Sequence, residues 1–206
     1  SQATGKAALE LARLHEKVAK DTGASIAVCV NAIDLRSVCE AVEIPVFAQH
    51  VDPNSFGSGT GTILPELVKD AGAFGTLLNH AECPVDDEVL RDSIYRAKSL
   101  DLFTVVCANT PGRGCEIMKM QPDLVAVEPP ELIGGDISVA KSGPEIVKEA
   151  VELVGVGKTL VGAGVKDRED VEISLSLGAS GVLLASGVTK AEDPEAVLRD
   201  LVAGLK

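Results

Sequence analysis

A histidine and a glutamate stand at the ends of two short apolar runs in this sequence. His80 follows the run at 74–78 through Asn79, and Glu128 directly follows the run at 124–127. A carboxylate beside buried aliphatic residues needs a partner or a function, because burial of an uncompensated charge is costly. The two side chains together could act as an acid/base pair. Each alone also has a structural interpretation, as a loop histidine bonded to a neighbour or as a carboxylate that caps a turn.

Two glycine-rich turns lie further along the chain, each between an apolar run and a helical pattern. They are residues 162–164, with the sequence Gly-Ala-Gly, and residues 185–187, with the sequence Ala-Ser-Gly. Small residues let backbone N–H groups approach an oxyanion closely, and the N-terminus of a following helix adds partial positive charge. Such turns also occur where the chain only has to turn tightly. Their occurrence in consecutive units favours anion binding.

The segment that follows Glu128 has the composition of a lid. It reads Pro129-Pro130-Glu131-Leu132-Ile133-Gly134-Gly135-Asp136. Two prolines stiffen one end and two glycines loosen the other, which suits a segment that moves as a unit between hinges. An ordinary long surface loop would have the same composition. The predicted lid is residues 129–133, with the glycine pair behind it.

Short apolar runs alternate with amphipathic stretches along the chain. The runs are too short for typical helices and most are rich in Val, Ile or Leu, so they are predicted to be buried parallel strands. The predicted strands are residues 25–30, 45–48, 74–78, 102–108, 124–127, 159–162 and 181–185. The predicted helices are residues 3–21, 34–42, 63–71, 86–99, 114–120, 144–153, 167–177 and 193–202. Gly23 and Gly178 follow two of these helices as stop signals.

This alternation indicates a doubly wound sheet or a barrel. Repeated units without a long helical insert favour a (β/α)₈ barrel, a single domain over residues 1–206. A β/α barrel opens in a strand, whereas this chain opens in a helix. We therefore expect one more strand upstream of Ser1, so that strand 1 of the barrel is missing from this chain. Active sites in this fold lie on the loops after the strands, where His80 and Glu128 stand.

Composition and charge narrow the class of protein. The formal net charge of −12 repels phosphate backbones and anionic lipid, so neither nucleic acid nor a membrane is an expected partner. The five cysteines are odd in number and form no Cys-x-x-Cys pair. Neither a metal site nor a disulfide framework is predicted, and a reducing cytoplasm fits best. Cys29 and Cys107 lie inside apolar runs and are expected to be small buried hydrophobes.

Two further histidines carry weaker expectations. His15 is expected on the solvated outer face of the first helix. His50 ends the predicted strand at 45–48 and has no obvious charged partner near it in the sequence. It is expected to be a wall or interface residue.

Several of these segments together resemble the triosephosphate isomerase family in its shorter archaeal form. The matching stretches are 45–50 (PVFAQH), 75–80 (GTLLNH), 125–134 (VAVEPPELIG), 162–165 (GAGV) and 181–190 (GVLLASGVTK). They run in order, and the similarity covers essentially the whole chain. The stretch VAVEPPELIG together with the Asn-His pair at an earlier strand end is highly specific. The resemblance implies the TIM-barrel fold of that family.

The resemblance implies an isomerase that interconverts D-glyceraldehyde 3-phosphate and dihydroxyacetone phosphate, in glycolysis and gluconeogenesis. Glu128 matches the general base that moves a proton between adjacent carbons through an enediolate. His80 matches the electrophile that polarises the carbonyl, which in this family is an uncharged imidazole. Glu82 matches the family's acidic residue just after the histidine. The residues that match the family's phosphate-binding loops are Gly134, Gly135, Gly164, Ser186 and Gly187.

The resemblance also implies the partners of the protein. Proton transfer between adjacent carbons needs only a base, an electrophile and anion binding, so no metal or organic cofactor is implied. The lid would exclude water and protect the enediolate. Archaeal members of the family form tetramers, so a cytoplasmic homotetramer is expected, with a triose phosphate as its small-molecule partner.

Two departures from the family pattern reduce the expected activity. The family carries an Asn and a substrate-contacting Lys at the end of its first strand, and no such strand is found in this sequence. Ala81 stands where the family usually has Ser after the catalytic histidine. Loss of one preorganised charge-stabilising group typically costs ~10²–10³ in rate. Three alternatives stay open: a catalytically impaired sugar-phosphate-binding barrel of the same family, another phosphate-handling β/α barrel enzyme, and an inactive fragment.

Overall fold

The computed structural model describes residues 3–130 and 138–205 of the chain. Ten helices and seven strands lie within these ranges. The chain forms two compact units that divide between Val105 and Val106, inside strand β4 (Phe103–Ala108). The single domain expected over residues 1–206 stays a prediction.

The first unit contains four helices, three complete strands and the beginning of β4. In chain order they are α1 (Lys6–Thr22), β1 (Val28–Val30), α2 (Leu35–Cys39), β2 (Val46–Ala48), α3 (Pro65–Asp70), β3 (Gly75–Leu78) and α4 (Asp87–Ser99). β1, β2 and β3 pair in parallel, with Val28 opposite Val46 and Phe47 opposite Gly75. β2 and β3 are buried along their whole length, as expected of strands covered on both faces.

Two helices of the first unit, α1 and α4, carry signals at their ends that the sequence contains. Gly23 has φ 74°, and its N–H donates to the Ala19 carbonyl at 2.8 Å. It therefore ends α1 in the left-handed conformation that glycine adopts without a steric penalty. α4 has acidic residues in its first turn and Arg96 and Lys98 in its last, so that both ends complement the helix dipole.

Three of the four phenylalanines pack together in the first unit. The ring centroids of Phe47 and Phe74 are 5.6 Å apart, and those of Phe74 and Phe103 are also 5.6 Å apart. The Phe103 N–H donates to the Phe74 carbonyl at 3.0 Å, which ties β4 to the residue before β3. No aromatic residue follows Phe103 in the sequence, so the second unit is built from aliphatic side chains.

The second unit begins with the rest of β4 and contains three further strands and six helices. They are α5 (Pro111–Met118), β5 (Leu124–Val127), α6 (Val139–Ser142), α7 (Pro144–Val154), β6 (Thr159–Gly162), α8 (Arg168–Ser176), β7 (Gly181–Leu183), α9 (Ser186–Thr189) and α10 (Pro194–Ala203). β5, β6 and β7 pair in parallel and in chain order, with Val125 opposite Thr159 and Leu160 opposite Gly181. The predicted parallel α/β architecture is confirmed in both units.

The structure departs from the predicted helices in two ways. α6 and α9 were not predicted, because a helix of four residues is too short to display a hydrophobic period. α5 begins at Pro111, three residues before its predicted start. The Thr110 side chain accepts a hydrogen bond from the Arg113 N–H at 3.1 Å, and proline suits the first helical turn, so the helix is capped earlier than its apolar pattern indicates.

His15 is partly buried, so the expectation that it would be solvated is wrong. Its Nδ1 lies 2.7 Å from the carbonyl oxygen of Leu11, one turn earlier in α1. Burial lowers the pKa of His15, and the hydrogen bond to Leu11 opposes that shift without cancelling it. None of the described helices is both long enough and apolar enough to span a membrane.

Candidate active site

His80 follows β3 through a residue in the left-handed conformation. Asn79 has φ 56°, which asparagine adopts more readily than most residues, and its Oδ1 accepts a hydrogen bond from the Val85 N–H at 3.1 Å. The His80 carbonyl accepts from the Cys83 N–H at 2.8 Å and closes a turn. These bonds hold the imidazole at the carboxyl end of β3, with 23% of its side chain exposed.

The contacts of the His80 imidazole determine its tautomer. The backbone N–H of Glu82 donates to His80 Nδ1 at 3.2 Å, and a ring nitrogen that accepts a hydrogen bond carries no proton. In the tautomer that makes this bond, the ring proton lies on Nε2. The Glu82 carboxylate lies 3.8 Å from Nδ1, beyond hydrogen-bond distance, and its side chain is 89% exposed. Glu82 thus contacts the imidazole through its main chain.

Glu128 is the first residue after β5. Its backbone N–H donates to the Ala108 carbonyl at 2.8 Å, and Ala108 is the last residue of the neighbouring strand β4. The residue is 7% exposed. A buried carboxylate at the carboxyl end of a parallel strand lies where α/β proteins bind their ligands.

The Glu128 side chain lies directly over Gly162, the last residue of β6. A methyl group placed on Gly162 would be 2.6 Å from Glu128 Cγ and 2.7 Å from Cδ, and closer still to Oε1. Real carbon atoms do not approach so closely without a shift. Because β6 pairs with β5, only a residue without a side chain leaves room here for the carboxylate. The sequence analysis placed this glycine where a strand passes into a turn, and in the structure the glutamate of the neighbouring strand requires it.

The two glycine-rich turns of the second unit lie against each other. Ala163 and Gly164 have φ of 73° and 74°, so the turn after β6 passes through left-handed backbone. Ser186 and Gly187 begin α9, and their N–H groups therefore have no acceptor within that helix. A methyl group on Gly187 would be 3.1 Å from the Val165 carbonyl oxygen, which places the two turns in contact. The structure brings these turns and Glu128 together.

Part of the predicted lid lies within the described residues. Pro129 is buried and Pro130 is exposed. The other predicted lid residues and the glycines behind them lie outside the described residues; these are Glu131, Leu132, Ile133, Gly134 and Gly135. The lid and its glycine pair stay predictions.

His50 has a carboxylate partner that the sequence analysis missed. Its Nε2 lies 3.3 Å from Asp52 Oδ1, and Asp52 Oδ2 accepts a hydrogen bond from the Ile63 N–H at 2.6 Å. The Asp52 N–H donates to the Ile63 carbonyl at 2.9 Å. The His-x-Asp spacing was the signal, since side chains two residues apart after a strand end can meet across a turn.

A second group missed by the sequence analysis surrounds Asp170, which is 2% exposed and contacts Ser138 and Lys141. Its signal was the Asp-x-x-Asp spacing with Asp167, typical of a helix N-terminus. Within residues 3–130 and 138–205, no group of three or more His, Cys, Asp or Glu side chains is placed to hold a metal ion.

The sequence matches a known family over nearly its whole length. The family model described as triosephosphate isomerase matches residues 1–203, a range that includes all seven strands. The chain belongs to the triosephosphate isomerase family. Three archaeal relatives bear the name triosephosphate isomerase. That of Methanocaldococcus jannaschii is 44% identical over 98% of this chain and 94% of its own length. Those of Methanobacterium bryantii and Methanosarcina acetivorans are 45% and 43% identical over 98% of this chain, and over 91% and 93% of their own lengths.

The cysteines of this triosephosphate isomerase family member differ in accessibility, which predicts their reactivity. Cys83 is exposed, Cys107 is buried, and burial raises the pKa of the Cys29 thiol to about 12. At pH 8 a pKa of about 12 leaves about one Cys29 thiol in 10⁴ as the reactive thiolate. We expect iodoacetamide to label Cys83 first in the folded protein and to leave Cys29 and Cys107 unmodified, as measured by peptide mass spectrometry. Labelling of Cys29 as fast as Cys83, with the protein still folded, would contradict the placement of β1.

Proposed function

We propose that the protein interconverts D-glyceraldehyde 3-phosphate and dihydroxyacetone phosphate. Membership of the triosephosphate isomerase family over residues 1–203 supports this reaction, as do the names of the archaeal relatives. The observation that carries the proposal is the contact of the buried Glu128 carboxylate with Gly162, beside the two glycine-rich turns. A carboxylate base next to backbone N–H groups suits a phosphorylated substrate that exchanges a carbon-bound proton.

Glu128 is the proposed general base. Its carboxylate takes the proton from the carbon beside the substrate carbonyl and returns it to the former carbonyl carbon. The electrons of the broken C–H bond form the C=C bond of an enediolate, and the negative charge moves to the carbonyl oxygen. The proton of the neighbouring hydroxyl group then passes to this oxygen, so that a carbonyl group forms at the other carbon when the former carbonyl carbon is protonated. His80 is the proposed electrophile, because its Nε2–H can donate to that oxygen while Nδ1 accepts from the Glu82 N–H.

The substrate phosphate is the proposed ligand of the two adjoining turns. The backbone N–H groups of Gly164, Ser186 and Gly187 are the proposed donors, together with Gly134 and Gly135 beyond the predicted lid. A chain with a formal charge of −12 repels a phosphate at long range, so local backbone dipoles have to provide the attraction. Proton transfer of this kind needs no metal or organic cofactor.

The fold and assembly that go with this function are also proposals. We propose that β1–β7 are seven strands of the family's (β/α)₈ TIM barrel, whose remaining strand would carry the Asn and Lys of the family pattern. The free state of all five cysteines supports a reducing cytoplasm as its location. A homotetramer is proposed from the family resemblance.

One sequence feature favours a second candidate, a sugar-phosphate-binding barrel of impaired activity. Ala81 follows His80 where the family usually has Ser, so a hydroxyl group is absent beside the proposed electrophile. Loss of such a group lowers turnover by ~10²–10³ and leaves phosphate binding intact.

Proton exchange in deuterated water distinguishes the two candidates. The intact protein is incubated with dihydroxyacetone phosphate in D₂O, and ¹H NMR follows the substrate. An isomerase is expected to produce glyceraldehyde 3-phosphate that carries deuterium at C2. An impaired binder would be stabilised against heat by inorganic phosphate while exchange stays at the rate of the protein-free sample. Absence of both effects would reject the family function for this chain.

A further inference from the structure

Asp170 is a buried carboxylate in the second unit. It lies in the first turn of α8, yet its side chain is only 4% exposed. Acidic residues in a first helical turn ordinarily face solvent, where they interact favourably with the helix dipole. Burial of this charge therefore needs compensation from specific partners.

Some of its contacts belong to α8 itself. The Asp170 N–H donates to Asp167 Oδ1 at 2.9 Å, and the Asp167 N–H donates to Asp170 Oδ2 at 3.4 Å. This reciprocal pair is a capping box that begins the helix. A capping box needs neither burial nor partners from other segments, so it does not explain why the Asp170 side chain is buried.

The other contacts of Asp170 reach two different segments. The Ser138 hydroxyl donates to Oδ1 at 2.6 Å, and Lys141 Nζ lies 3.0 Å from the same oxygen. These two residues belong to α6 and its cap. The Lys166 N–H, in the turn after β6, donates to Oδ2 at 2.8 Å. One oxygen of the Asp170 carboxylate therefore contacts α6 and its cap, and the other accepts a hydrogen bond from the turn after β6.

A direct bond joins the same two segments. The Val139 N–H donates to the Ala163 carbonyl at 3.2 Å. Ser138, Val139 and Ala163 are at most 6% exposed, so water competes little for these bonds. The turn at 163–166 is therefore held at its first residue by α6 and at its last residue by Asp170.

The charges around Asp170 keep it ionised. Burial alone would raise the pKa of Asp170, but the hydrogen bonds from Ser138 and Lys166 and the Lys141 ammonium outweigh burial and lower it. Hydrogen bonds to Glu169 and Asp170 raise the pKa of Lys141. At neutral pH the Asp170 carboxylate and the Lys141 ammonium are both charged. The ionised carboxylate therefore stays available as an acceptor for the donors around it.

We infer that Asp170 is a positioning residue for the substrate phosphate. The inference rests on the proposed function, in which the turn after β6 binds that phosphate through Gly164. Fixing Ala163 and Lys166 on either side fixes the direction of the N–H groups between them. Gly162, against which Glu128 lies, belongs to the paired strand β6, so the base keeps its place without Asp170. Asp170 therefore acts on phosphate binding and not on proton transfer.

Substrates with and without a phosphate test this role. Asp170→Asn keeps the size of the side chain but removes its charge and one acceptor. The phosphate of the substrate contributes to kcat/KM through its binding free energy, which depends on the orientation of the groups that bind it. We expect kcat/KM for glyceraldehyde 3-phosphate to fall about tenfold or more, mainly through KM, because even a small misplacement weakens an oriented contact. For D-glyceraldehyde, which has no phosphate, we expect kcat/KM to change by less than about threefold.

Two further variants accompany Asp170→Asn, one as a matched control and one as a second test. Glu169→Gln removes a neighbouring carboxylate that also contacts Lys141, at 2.9 Å, but is 70% exposed, and we expect it to leave both substrates unaffected. Ser138→Ala removes one bond to Asp170 and keeps the capping box. We expect it to raise KM for the phosphorylated substrate by about threefold, as loss of one hydrogen bond predicts. If Asp170→Asn does not fold, Ser138→Ala decides the outcome.

A second readout does not depend on turnover. The melting temperature is measured against inorganic phosphate concentration, and we expect Asp170→Asn to bind phosphate about tenfold more weakly than the parent. An equal loss on both triose substrates, or no loss on either, overturns the inference. A parent protein that isomerises neither substrate would reject the proposed function. The phosphate titration then still decides the role of Asp170, since equal affinity in the parent and the variant overturns it.

Discussion

Replacement of Glu128 by glutamine is expected to lower kcat about 10³-fold and to change KM by less than about threefold. The glutamine amide has nearly the same shape but cannot accept a carbon-bound proton at neutral pH. Deuterium exchange into dihydroxyacetone phosphate should fall by the same factor as the isomerisation rate, because the same proton transfer limits both. The measurement is a steady-state assay in both directions, together with NMR detection of exchange.

The matched control for this change is Glu149→Gln. Glu149 lies on the exposed face of α7 in the same unit, so the substitution removes the same charge away from the strand ends. It should leave kcat and KM unchanged. Undiminished activity of Glu128→Gln would assign the base to another residue and would leave the contact with Gly162 without a catalytic purpose.

The second large effect is expected from Gly162→Ala. The added methyl group would lie 2.6 Å from Glu128 Cγ, so the glutamate side chain has to rotate away. Misplacing a catalytic group by about 1 Å can cost about 10²-fold, and we expect a loss of that size in kcat. The melting temperature should change little, because the flexible end of the glutamate gives way and the paired backbone of β6 does not. Kinetics and a thermal melt on the same preparation measure both.

The control for Gly162→Ala is the same substitution at Gly181, in the next strand. A methyl group there would be 3.2 Å from the tip of Leu160, which can move by a few tenths of an ångström. Gly181→Ala should therefore keep full activity.

A double-mutant cycle tests whether the methyl group acts through the glutamate. Glu128→Asp withdraws the carboxylate by one methylene and relieves the contact with an alanine at position 162. Combined with Gly162→Ala, it should lose less than the product of the two single losses. Independent, multiplicative losses would mean that the methyl group acts on something other than the glutamate.

Most of the fold could be predicted from the sequence because each element carries its own signal. The run LVAV at 124–127 is buried on both faces and is found as β5 with the predicted bounds. The acidic start and basic end of α4 placed that helix within one residue at its N-terminus. The single turns α6 and α9 could not be predicted, because their conformation follows from packing against neighbouring segments and not from a period in the sequence.

The sequence predicts those features of the candidate site that depend on residues within a single segment of the chain. Glu128 follows its strand directly and His80 follows its strand after one residue, and an apolar run that ends in polar side chains is visible in the sequence. The contact between Glu128 and Gly162 was not visible, because it depends on which residue of β6 pairs beside β5. The histidine tautomer likewise depends on a backbone N–H two residues away, which has no sequence signature.

The contacts of Asp170 with Asp167 and Ser138 also show which hydrogen bonds a sequence can predict and which it cannot. The spacing of Asp167 and Asp170 indicates a capping box, and the structure contains one. Nothing in the sequence indicates that Ser138, 32 residues earlier, donates to the same carboxylate. Local hydrogen bonds can be inferred from spacing, whereas a bond between distant segments requires the packing that brings them together.

The aromatic cluster of Phe47, Phe74 and Phe103 determines how unfolding of this protein can be observed. The chain has no tryptophan, and its only tyrosine, Tyr95, also precedes Val106. Aromatic absorbance and near-ultraviolet circular dichroism therefore arise from the first unit alone, while the second, which contains Glu128 and both glycine-rich turns, has no aromatic side chain to report on it. A melt followed by these signals reports directly on the surroundings of the aromatic cluster, whereas calorimetry or amide hydrogen exchange also reports on the proposed base and phosphate site.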